Sequence, residues 1–316
     1  MQKKSIIVCL MGPTASGKTQ LAIDLLQRFP FEIISVDSAM IYREMDIGTA
    51  KPDPETLRIA PHRLINLCDP SEAYSAAKFR NDALREIKEI LAQDKIPLLV
   101  GGTMLYFRAL QQGIASMPSA NADCRAEITE EANQVGWPVL HQQLQSIDPE
   151  AAARIHPHDS QRIQRALEVY RLSGKNLSAW QKEQTSDADE FHVINIVVAP
   201  ADRAVLHERI ALRFKQMLAD GLVDEVKRLY ERGDLDLTMP AIRSVGYRQV
   251  WEYLQGKYSH EEMCERGIIA TRQLAKRQLT WLRSWPNAVW FDSSSDLFTQ
   301  VAPYLHSAIL TIQGTV

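Results

Sequence analysis

The chain has 316 residues, 45% of them hydrophobic and 24% charged, which is typical of a globular protein with material for about two domains. Its 36 basic and 39 acidic side chains give a net charge of −3, which excludes a polycation that binds nucleic acid over its whole surface. With no apolar run near the ~20 residues of a membrane helix and four cysteines in no C-x-x-C or His/Cys pattern, we expect a cytoplasmic protein without signal peptide, membrane segment, disulfide or zinc.

A phosphate-binding loop is the first feature along the chain. Ser5–Leu10 is apolar and β-branched, as in a buried strand, and Lys18–Gln27 has the leucine spacing of a helix. The intervening GPTASGKT fits the pattern G-x-x-x-x-G-K-[ST], in which backbone N–H groups and a helix N-terminus converge on phosphate oxygens. Lys18 would reach the outer phosphates and the Thr19 hydroxyl would hold Mg²⁺. The pattern predicts a polyphosphate or diphosphate site, without implying ATP hydrolysis, at Gly12, Pro13, Thr14, Ala15, Ser16, Gly17, Lys18 and Thr19.

Strands and helices then alternate up to about residue 115. We predict strands at 32–36, 64–67 and 96–100, a loop at 46–54, a helix at 75–93 and another that begins near residue 104. Such alternation predicts an α/β fold with a parallel sheet, whose ligands bind beyond the carboxyl ends of the strands. Thr19, Asp37 and Thr103 each follow a different strand, so we expect them to meet at one edge of that sheet.

The pattern changes between residues 116 and 190, where prolines break a series of helical segments and no strand-like run occurs. We interpret this region as an all-helical domain inserted into the α/β domain. A buried strand at 191–199 resumes the α/β pattern. The predicted domains are 1–115, 116–190 and 191–316, and the last part contains a helical stretch at 205–232, a loop at 233–240 and helices at 247–254 and 259–285.

Several polar side chains allow two interpretations. Asp37 and Thr103 could serve a reaction centre, where Asp37 would accept a proton or hold a Mg²⁺-bound water, or they could cap helices. Arg209 and Arg213 lie one helical turn apart, as phosphate ligands or as solvated partners of acidic residues. The pair Arg162 and Arg165, at i and i+3, leaves the same choice open.

The stretch 266–283 is locally basic, with five cations and no acid. On a helix, Arg272, Lys276 and Arg283 share one stripe, and the opposite stripe carries Leu274, Trp281 and Trp285. We expect the tryptophans to face the core and the cations to face outward. A solvated basic face and a surface for a polyanion both fit this arrangement.

The ordered motifs resemble those of bacterial tRNA dimethylallyltransferases (tRNA isopentenyltransferases). The phosphate loop alone is generic, whereas DSAMIY, DIGTAKP and LLVGGT in succession are highly specific. The resemblance covers nearly the whole chain. It rests on GPTASGKT at 12–19, ISVDSAMIYREMDIGTAKP at 34–52, PHRLIN at 61–66, YSAAKFR at 74–80, PLLVGGTMLYFRAL at 97–110, RIHPHDSQRIQRALEVY at 154–170, RIALRFKQML at 209–218, IRSVGYRQVW at 242–251 and TRQLAKRQLTWLR at 271–283.

The resemblance implies a P-loop NTPase-like sheet with an inserted helical domain that grips the anticodon stem of tRNA. It implies transfer of a dimethylallyl group from dimethylallyl diphosphate to N6 of the adenosine immediately 3′ of the anticodon, with release of diphosphate. Mg²⁺, held by Thr19, is the implied cofactor. The anticodon stem-loop is the implied partner of a chain that we expect to be a monomer with no obligate protein partner.

The resemblance also assigns roles to individual residues. The phosphate loop would cradle the diphosphate leaving group, and Asp37 would be the general base, assisted by Lys18, Thr19, Thr103 and Arg213. It further implies RNA contacts from Asp37, Ser38, Ala39, Met40, Thr103, Arg125, Gln161, Arg162, Ile163, Gln164, Arg165, Ile242, Arg243, Ser244, Val245, Gly246, Tyr247, Lys276, Arg277 and Arg283.

Two other classes of protein share the phosphate loop. A P-loop kinase of a small metabolite would use ATP, with Asp37 as base, but the strand at 96–100 ends in Gly-Gly-Thr without a Walker-B acid. A nucleotide-switched RNA-binding module would carry an N-K-x-D guanine-reading signature, and the sequence has none. The prenyltransferase is therefore the favoured prediction and the kinase its alternative.

Overall fold

A computed structural model describes residues 4–183 and 190–314. Contacts along the chain divide it into two compact units, Met1–Leu110 together with Asp189–Val316, and Gln111–Ala188. The second unit interrupts the first in sequence. Its bounds lie within a few residues of the helical insertion expected at 116–190.

The first unit is built on a parallel sheet of six strands among the described residues. The spatial order is β3-β2-β4-β1-β5-β6, and every neighbouring pair runs parallel. This confirms the predicted α/β class. The strands are β1 (Ser5–Met11), β2 (Phe31–Val36), β3 (His62–Arg63), β4 (Ile96–Gly101), β5 (Phe191–Ala199) and β6 (Ala288–Asp292).

Helices connect and cover these strands. Many begin at a side-chain cap, such as Ser75, whose hydroxyl accepts a hydrogen bond from Lys78 N, and Ser259, which does the same for Glu262 N. The helices are α1 (Lys18–Leu26), α2 (Pro54–Ile59), α3 (Ala76–Leu91), α4 (Met104–Gln112), α5 (Ala122–Val135), α6 (Trp137–Ile147), α7 (Pro149–Arg154), α8 (Ser160–Ser173), α9 (Leu177–Lys182), α10 (Arg203–Ala219), α11 (Leu222–Glu231), α12 (Tyr247–Leu254), α13 (His260–Arg283) and α14 (Leu297–Gln313).

Both faces of the sheet are buried, which explains why its strands are almost continuously apolar. Alternate residues of β1 point to opposite sides: Ile7 and Cys9 belong to one core, and Val8 and Leu10 to the other. The second core is closed by α1 and α14, which contact each other. With both faces covered, ligands can reach the sheet only at the ends of its strands.

The second unit consists of α5 to α9 in its described part, where no strand occurs. Its core is a separate apolar cluster around Ile128, Leu140, Leu144, Ile163 and Leu167. Regular amphipathic spacing along α5, α6 and α8 supplies these side chains. This unit therefore has a core of its own.

Three local predictions need correction. The strand at 64–67 is wrong: β3 ends at Arg63, and Leu64 (φ 60°) and Asn66 (φ 56°) adopt left-handed conformations that no strand accommodates. The helical stretch 205–232 is two helices, because Gly221 at φ 99° breaks the helical backbone between α10 and α11. Strand β6 was not predicted, because it has only five residues and none of them is fully buried.

None of the helices in the described ranges 4–183 and 190–314 is both long enough and apolar enough to cross a bilayer.

Candidate functional site

The carboxyl ends of β1, β4 and β2, three adjacent strands, meet as predicted at one edge of the sheet. The loops that follow them bring Thr19, Thr103 and Asp37 to the wall of one cavity of about 690 Å³. Thr103 is held directly beside the β2 loop: its N–H donates to Val36 O (3.2 Å), and its Oγ1 accepts from Ser38 N (3.0 Å). The predicted convergence of these three residues is thus a feature of the structure.

The phosphate loop has the backbone conformation that its glycines permit. Ala15 (φ 62°) and Gly17 (φ 89°) are left-handed, and turns of this kind can gather successive N–H groups around an anion. Gly12 lets the start of the phosphate loop pass close to β5. A Cβ at this position would lie 2.3 Å from Val198 O and 2.8 Å from Ser16 Oγ. Gly17 caps α1 without a side chain, so the helix N-terminus opens into the cavity.

Lys18 is folded back onto its own loop. Its Nζ donates to Gly12 O (2.9 Å), Pro13 O (2.6 Å) and, at 3.4 Å, Ser16 Oγ. Burial is the main reason that the pKa of the Lys18 ammonium is lowered to about 7; the nearby Arg213 guanidinium also lowers it, and the Asp37 carboxylate opposes both effects. Lys18 is therefore poised between its charged and neutral forms at neutral pH.

Arg213 reaches the same cavity from α10. Burial lowers the pKa of its guanidinium, and Asp37 again opposes the shift. Arg209, one turn earlier, points elsewhere and donates to Ser293 Oγ (3.1 Å) and Ser293 O (2.8 Å). The two arginines are thus not a pair of phosphate ligands, and only Arg213 joins the site.

Asp37 stabilises the turn that follows β2 and also lines the cavity. Its Oδ1 accepts hydrogen bonds from Ala39 N (2.8 Å) and Met40 N (3.3 Å), which fixes a turn rather than a helix. Within the part of the chain that the structure describes, Oδ2 has no hydrogen-bond partner. The carboxylate is therefore oriented by one oxygen and leaves the other for chemistry.

The segment 242–247 forms another wall of the cavity, but its residues differ in access. Arg243, Ser244 and Val245 line the cavity and keep partial exposure or more. Ile242 and Tyr247 are fully buried. RNA contact through the Ile242 side chain is therefore excluded, because that side chain is part of the core.

Glu225 is a site-forming residue that the sequence did not reveal. This buried carboxylate on α11 accepts from the N–H groups of residues 46, 47 and 48 (3.0, 2.8 and 3.1 Å) and from the Tyr247 hydroxyl (2.5 Å). Gly48 must be glycine there, because a Cβ would lie 2.5 Å from the Tyr247 ring. Glu225 thereby locks the 46–48 loop to Tyr247, and both border the cavity.

The basic residues of helix α13 differ in their exposure to solvent. Lys276, Arg277 and Arg283 are exposed, and Arg277 borders the cavity. Arg272 departs from the predicted outward stripe: it is half-buried, and its Nε is shielded from solvent with no hydrogen-bond partner among the described residues. Trp281 and Trp285 pack against the core as predicted, whereas Leu274 lines the cavity.

The arginines predicted to bind RNA in the second unit are largely engaged within it. Arg125 Nε donates to Glu168 Oε1 (2.8 Å), and Arg165 Nη1 donates to Glu168 Oε2 (2.6 Å). Although burial opposes it, these hydrogen bonds hold the pKa of Glu168 below its ordinary value. Ile163 is a core residue, so RNA contact through its side chain is excluded; Gln161 and Arg162 are exposed.

The site also contains Gln278, which was not predicted. Its amide touches both the phosphate loop and the end of β4. Nothing in the sequence marks one glutamine of an amphipathic helix as different from its neighbours. As for metals, the structure shows no group of three or more His, Cys, Asp or Glu residues arranged as a metal site in the described ranges.

Comparison with known proteins identifies the family. A family model described as IPP transferase matches residues 40–285. A tRNA dimethylallyltransferase of Coxiella burnetii (strain Dugway 5J108-111) is 58% identical, over 96% of this chain and 98% of that protein. The full-length tRNA isopentenylpyrophosphate transferase of Bacillus halodurans superposes with a TM-score of 0.73 at 37% identity, covering 98% of both chains.

A eukaryotic dimethylallyltransferase, solved in crystallographic snapshots as it acts on tRNA, is also similar. Its TM-score is 0.75 at 27% identity, covering 92% of this chain and 74% of that one. The chain belongs to the tRNA dimethylallyltransferase family, a family of prenyltransferases, and it has that family's P-loop NTPase-like fold.

Binding of inorganic pyrophosphate at pH 8 should be accompanied by proton uptake at Lys18. Without a bound anion, the Lys18 side chain has a pKa of about 7 and is mostly neutral at pH 8. A bound anion favours its charged form. For the same reason the affinity should fall as the pH rises from 7 to 9. Calorimetry in buffers of different ionisation enthalpy measures the protons taken up, and Lys18→Met and Lys18→Arg provide sites that do not titrate in this range. Equal proton uptake in all three proteins would contradict the assignment to Lys18.

Proposed function

We propose that this chain transfers a dimethylallyl group from dimethylallyl diphosphate to N6 of the adenosine 3′-adjacent to the anticodon of tRNA, releasing diphosphate. One observation carries the proposal: a cradle for phosphate oxygens and a carboxylate with an unengaged oxygen open into the same cavity. The names of the related enzymes support both the transferred group and the tRNA acceptor. The proposed enzyme works as a cytoplasmic monomer.

The phosphate loop would bind the diphosphate of the donor. As the C–O bond of the donor breaks, negative charge grows on the leaving oxygen. Loop N–H groups, Lys18 and Arg213, which line the cavity, would stabilise that charge once Lys18 Nζ turns from its own loop toward the anion. The arriving anion would favour the charged form of Lys18. Without an anion, burial lowers the pKa of this side chain to about 7, so that part of it is neutral.

Mg²⁺ fits the residues at this site. The ion prefers hard oxygen ligands, retains several waters and usually needs only one or two protein groups beside phosphate oxygens. The Thr19 hydroxyl, at the start of α1 on the cavity wall, is such a group. When bound, Mg²⁺ would supply further positive charge against the leaving diphosphate.

Asp37 would act as the general base. The lone pair of an exocyclic adenine amine is conjugated with the ring, so N6 attacks well only as its proton is removed. In the proposed step the N6–C1 bond forms, the C1–O bond breaks, and the N6 proton passes to Asp37 Oδ2. Thr103, which is hydrogen-bonded to Ser38 beside Asp37, would help to hold the acceptor amine.

The acceptor adenosine must leave its stack in the anticodon loop to enter the cavity. The exposed cations Lys276, Arg277 and Arg283 would contact the RNA backbone near the entrance. In the second unit, exposed Gln161 and Arg162 would also contact the RNA. The kinase alternative has no comparable support, since the relatives of this chain are tRNA-modifying transferases.

Incubation of anticodon stem-loop RNA with the protein, Mg²⁺ and dimethylallyl diphosphate, without ATP, should add one prenyl group to adenosine. Mass spectrometry of the digested nucleosides measures the product. An RNA with guanosine at the acceptor position is the matched control and should stay unmodified. Consumption of ATP with a small acceptor, and no prenylated adenosine, would instead establish the kinase.

Asp37→Asn should lower kcat by roughly 10²- to 10⁴-fold and leave RNA affinity nearly unchanged. Asparagine can still accept from the two turn N–H groups, so the loop survives while the base is lost. Asp53→Asn is the control, because Asp53 Oδ1 likewise accepts a backbone N–H (Thr56 N, 2.8 Å) outside the cavity. Normal turnover in Asp37→Asn would remove Asp37 from the role of base.

The double variant Lys276→Gln/Arg277→Gln should weaken RNA binding and flatten its dependence on salt. Each lost phosphate contact lowers the slope of log K against log [salt] by about one unit or somewhat less. The pair Lys227→Gln/Arg228→Gln on α11 removes the same two charges from another exposed site. If both double variants give the same slope as the unchanged protein, the exposed cations of α13 do not contact RNA.

A further inference from the structure

Gln278 joins two parts of the cavity that lie far apart in sequence. Its Oε1 accepts a hydrogen bond from Thr14 N in the phosphate loop (2.9 Å), across a separation of 264 residues. Its Nε2 donates to Gly102 O, also at 2.9 Å, beyond the end of β4. One side-chain amide therefore bridges the loops that follow β1 and β4.

The bridge requires glycine at position 102. A Cβ on Gly102 would lie only 2.4 Å from Gln278 Nε2 and 3.4 Å from its Cδ. Gly102 does not have a left-handed backbone conformation, so its need for glycine is set by the approach of this amide. Gly12 O, 3.2 Å from the same Cβ position, is the other close neighbour.

Each end of the bridge leads to one half of the proposed reaction. Thr14 begins the turn whose N–H groups would bind the leaving diphosphate. Gly102 precedes Thr103, whose Oγ1 holds Ser38 N beside Asp37. A shift at either end would change the distance between the donor and the acceptor base.

The chemistry of the amide suits this task. Glutamine offers an acceptor and a donor on one planar group, and both are used here within normal hydrogen-bond distances. An ionised glutamate keeps the acceptor but has no donor for Gly102 O. Leucine has the approximate size and offers neither.

We propose that Gln278 is a positioning residue for prenyl transfer, which sets the distance between the diphosphate cradle and the Asp37–Thr103 elements. The proposal rests on the proposed function of this cavity. A displacement of about 1 Å can cost ~10²-fold in rate even when it arises away from the reacting atoms. The effect should therefore fall on kcat rather than on the affinity for RNA.

A double-mutant cycle between Gln278 and Gly102 tests the proposal. Gln278→Ala should lower kcat by about 10- to 100-fold, with the RNA affinity and the unfolding temperature close to those of the unchanged protein. Gly102→Ala should cause a similar loss, because its Cβ displaces the amide. In the Gln278→Ala background, Gly102→Ala should add little, since the amide it would displace is gone. Gln273→Ala, an exposed glutamine on the same helix, is the control.

A pH profile distinguishes a positioning role from a merely structural one. The comparison uses two further variants, Gln278→Glu and Gln278→Leu. When the introduced carboxyl is neutral, it can both accept from Thr14 N and donate to Gly102 O, whereas leucine can do neither at any pH. The kcat ratio of Gln278→Glu to Gln278→Leu should therefore rise as the pH falls from about 8 to about 5.5, as a carboxyl group becomes protonated. Taking this ratio removes the pH dependence that both variants share with the unchanged protein.

The turnover of the unchanged protein reports on the proposed function, and the ratios of variant to unchanged turnover report on Gln278. Independent losses that multiply in the double variant would overturn the proposal. So would an unchanged kcat in Gln278→Ala, or a loss that lies wholly in RNA affinity.

Discussion

The site depends on two largely buried cationic side chains that share one cavity with a carboxylate. Lys18 and Arg213 both approach Asp37, and burial disfavours the charged forms of both cations. Uncompensated buried charge is costly, so one carboxylate does not keep both cations fully charged, and the pKa of Lys18 is lowered to about 7. The cavity is therefore electrostatically complete only with an anion in it. In the proposed reaction, the diphosphate of the prenyl donor would supply that charge where the N-terminus of α1 already favours it.

Polar side chains that are wholly or partly buried hold the loops around the cavity. Glu225 satisfies three consecutive N–H groups of the 46–48 loop, and Gln278 satisfies one donor and one acceptor on two further loops. Glu168 plays the corresponding part in the second unit, where it binds Arg125 and Arg165. Loops that would otherwise carry unpaired backbone groups thus become rigid walls. Exposed cations such as those of α13 are left for long-range attraction, which needs less exact placement.

The parts of the site that depend on local sequence could be predicted. A strand, a glycine-rich turn and a helix are neighbours in sequence, and the rule for parallel sheets brings Thr19, Asp37 and Thr103 together without further knowledge. The roles of Glu225 and Gln278 depend on contacts across more than 170 residues, which periodicity does not report. The same limit explains Arg125 and Arg165: an arginine that binds a buried glutamate looks, in sequence, like one that faces RNA. Leu64 and Asn66 show a local limit, because apolar composition there concealed two left-handed residues.

The arrangement also links the two halves of the proposed reaction through charge. The Asp37 carboxylate favours the charged forms of Lys18 and Arg213, raising the pKa of both, and would therefore compete with a bound diphosphate for these cations. If Asp37 is the base, its negative charge would disappear as it takes the proton from N6, and this competition would end while charge grows on the leaving diphosphate. Both cations would then act on the leaving group alone. Deprotonation of the acceptor and stabilisation of the leaving group would thereby reinforce each other, because the carboxylate that accepts the proton is the one that attracts both cations.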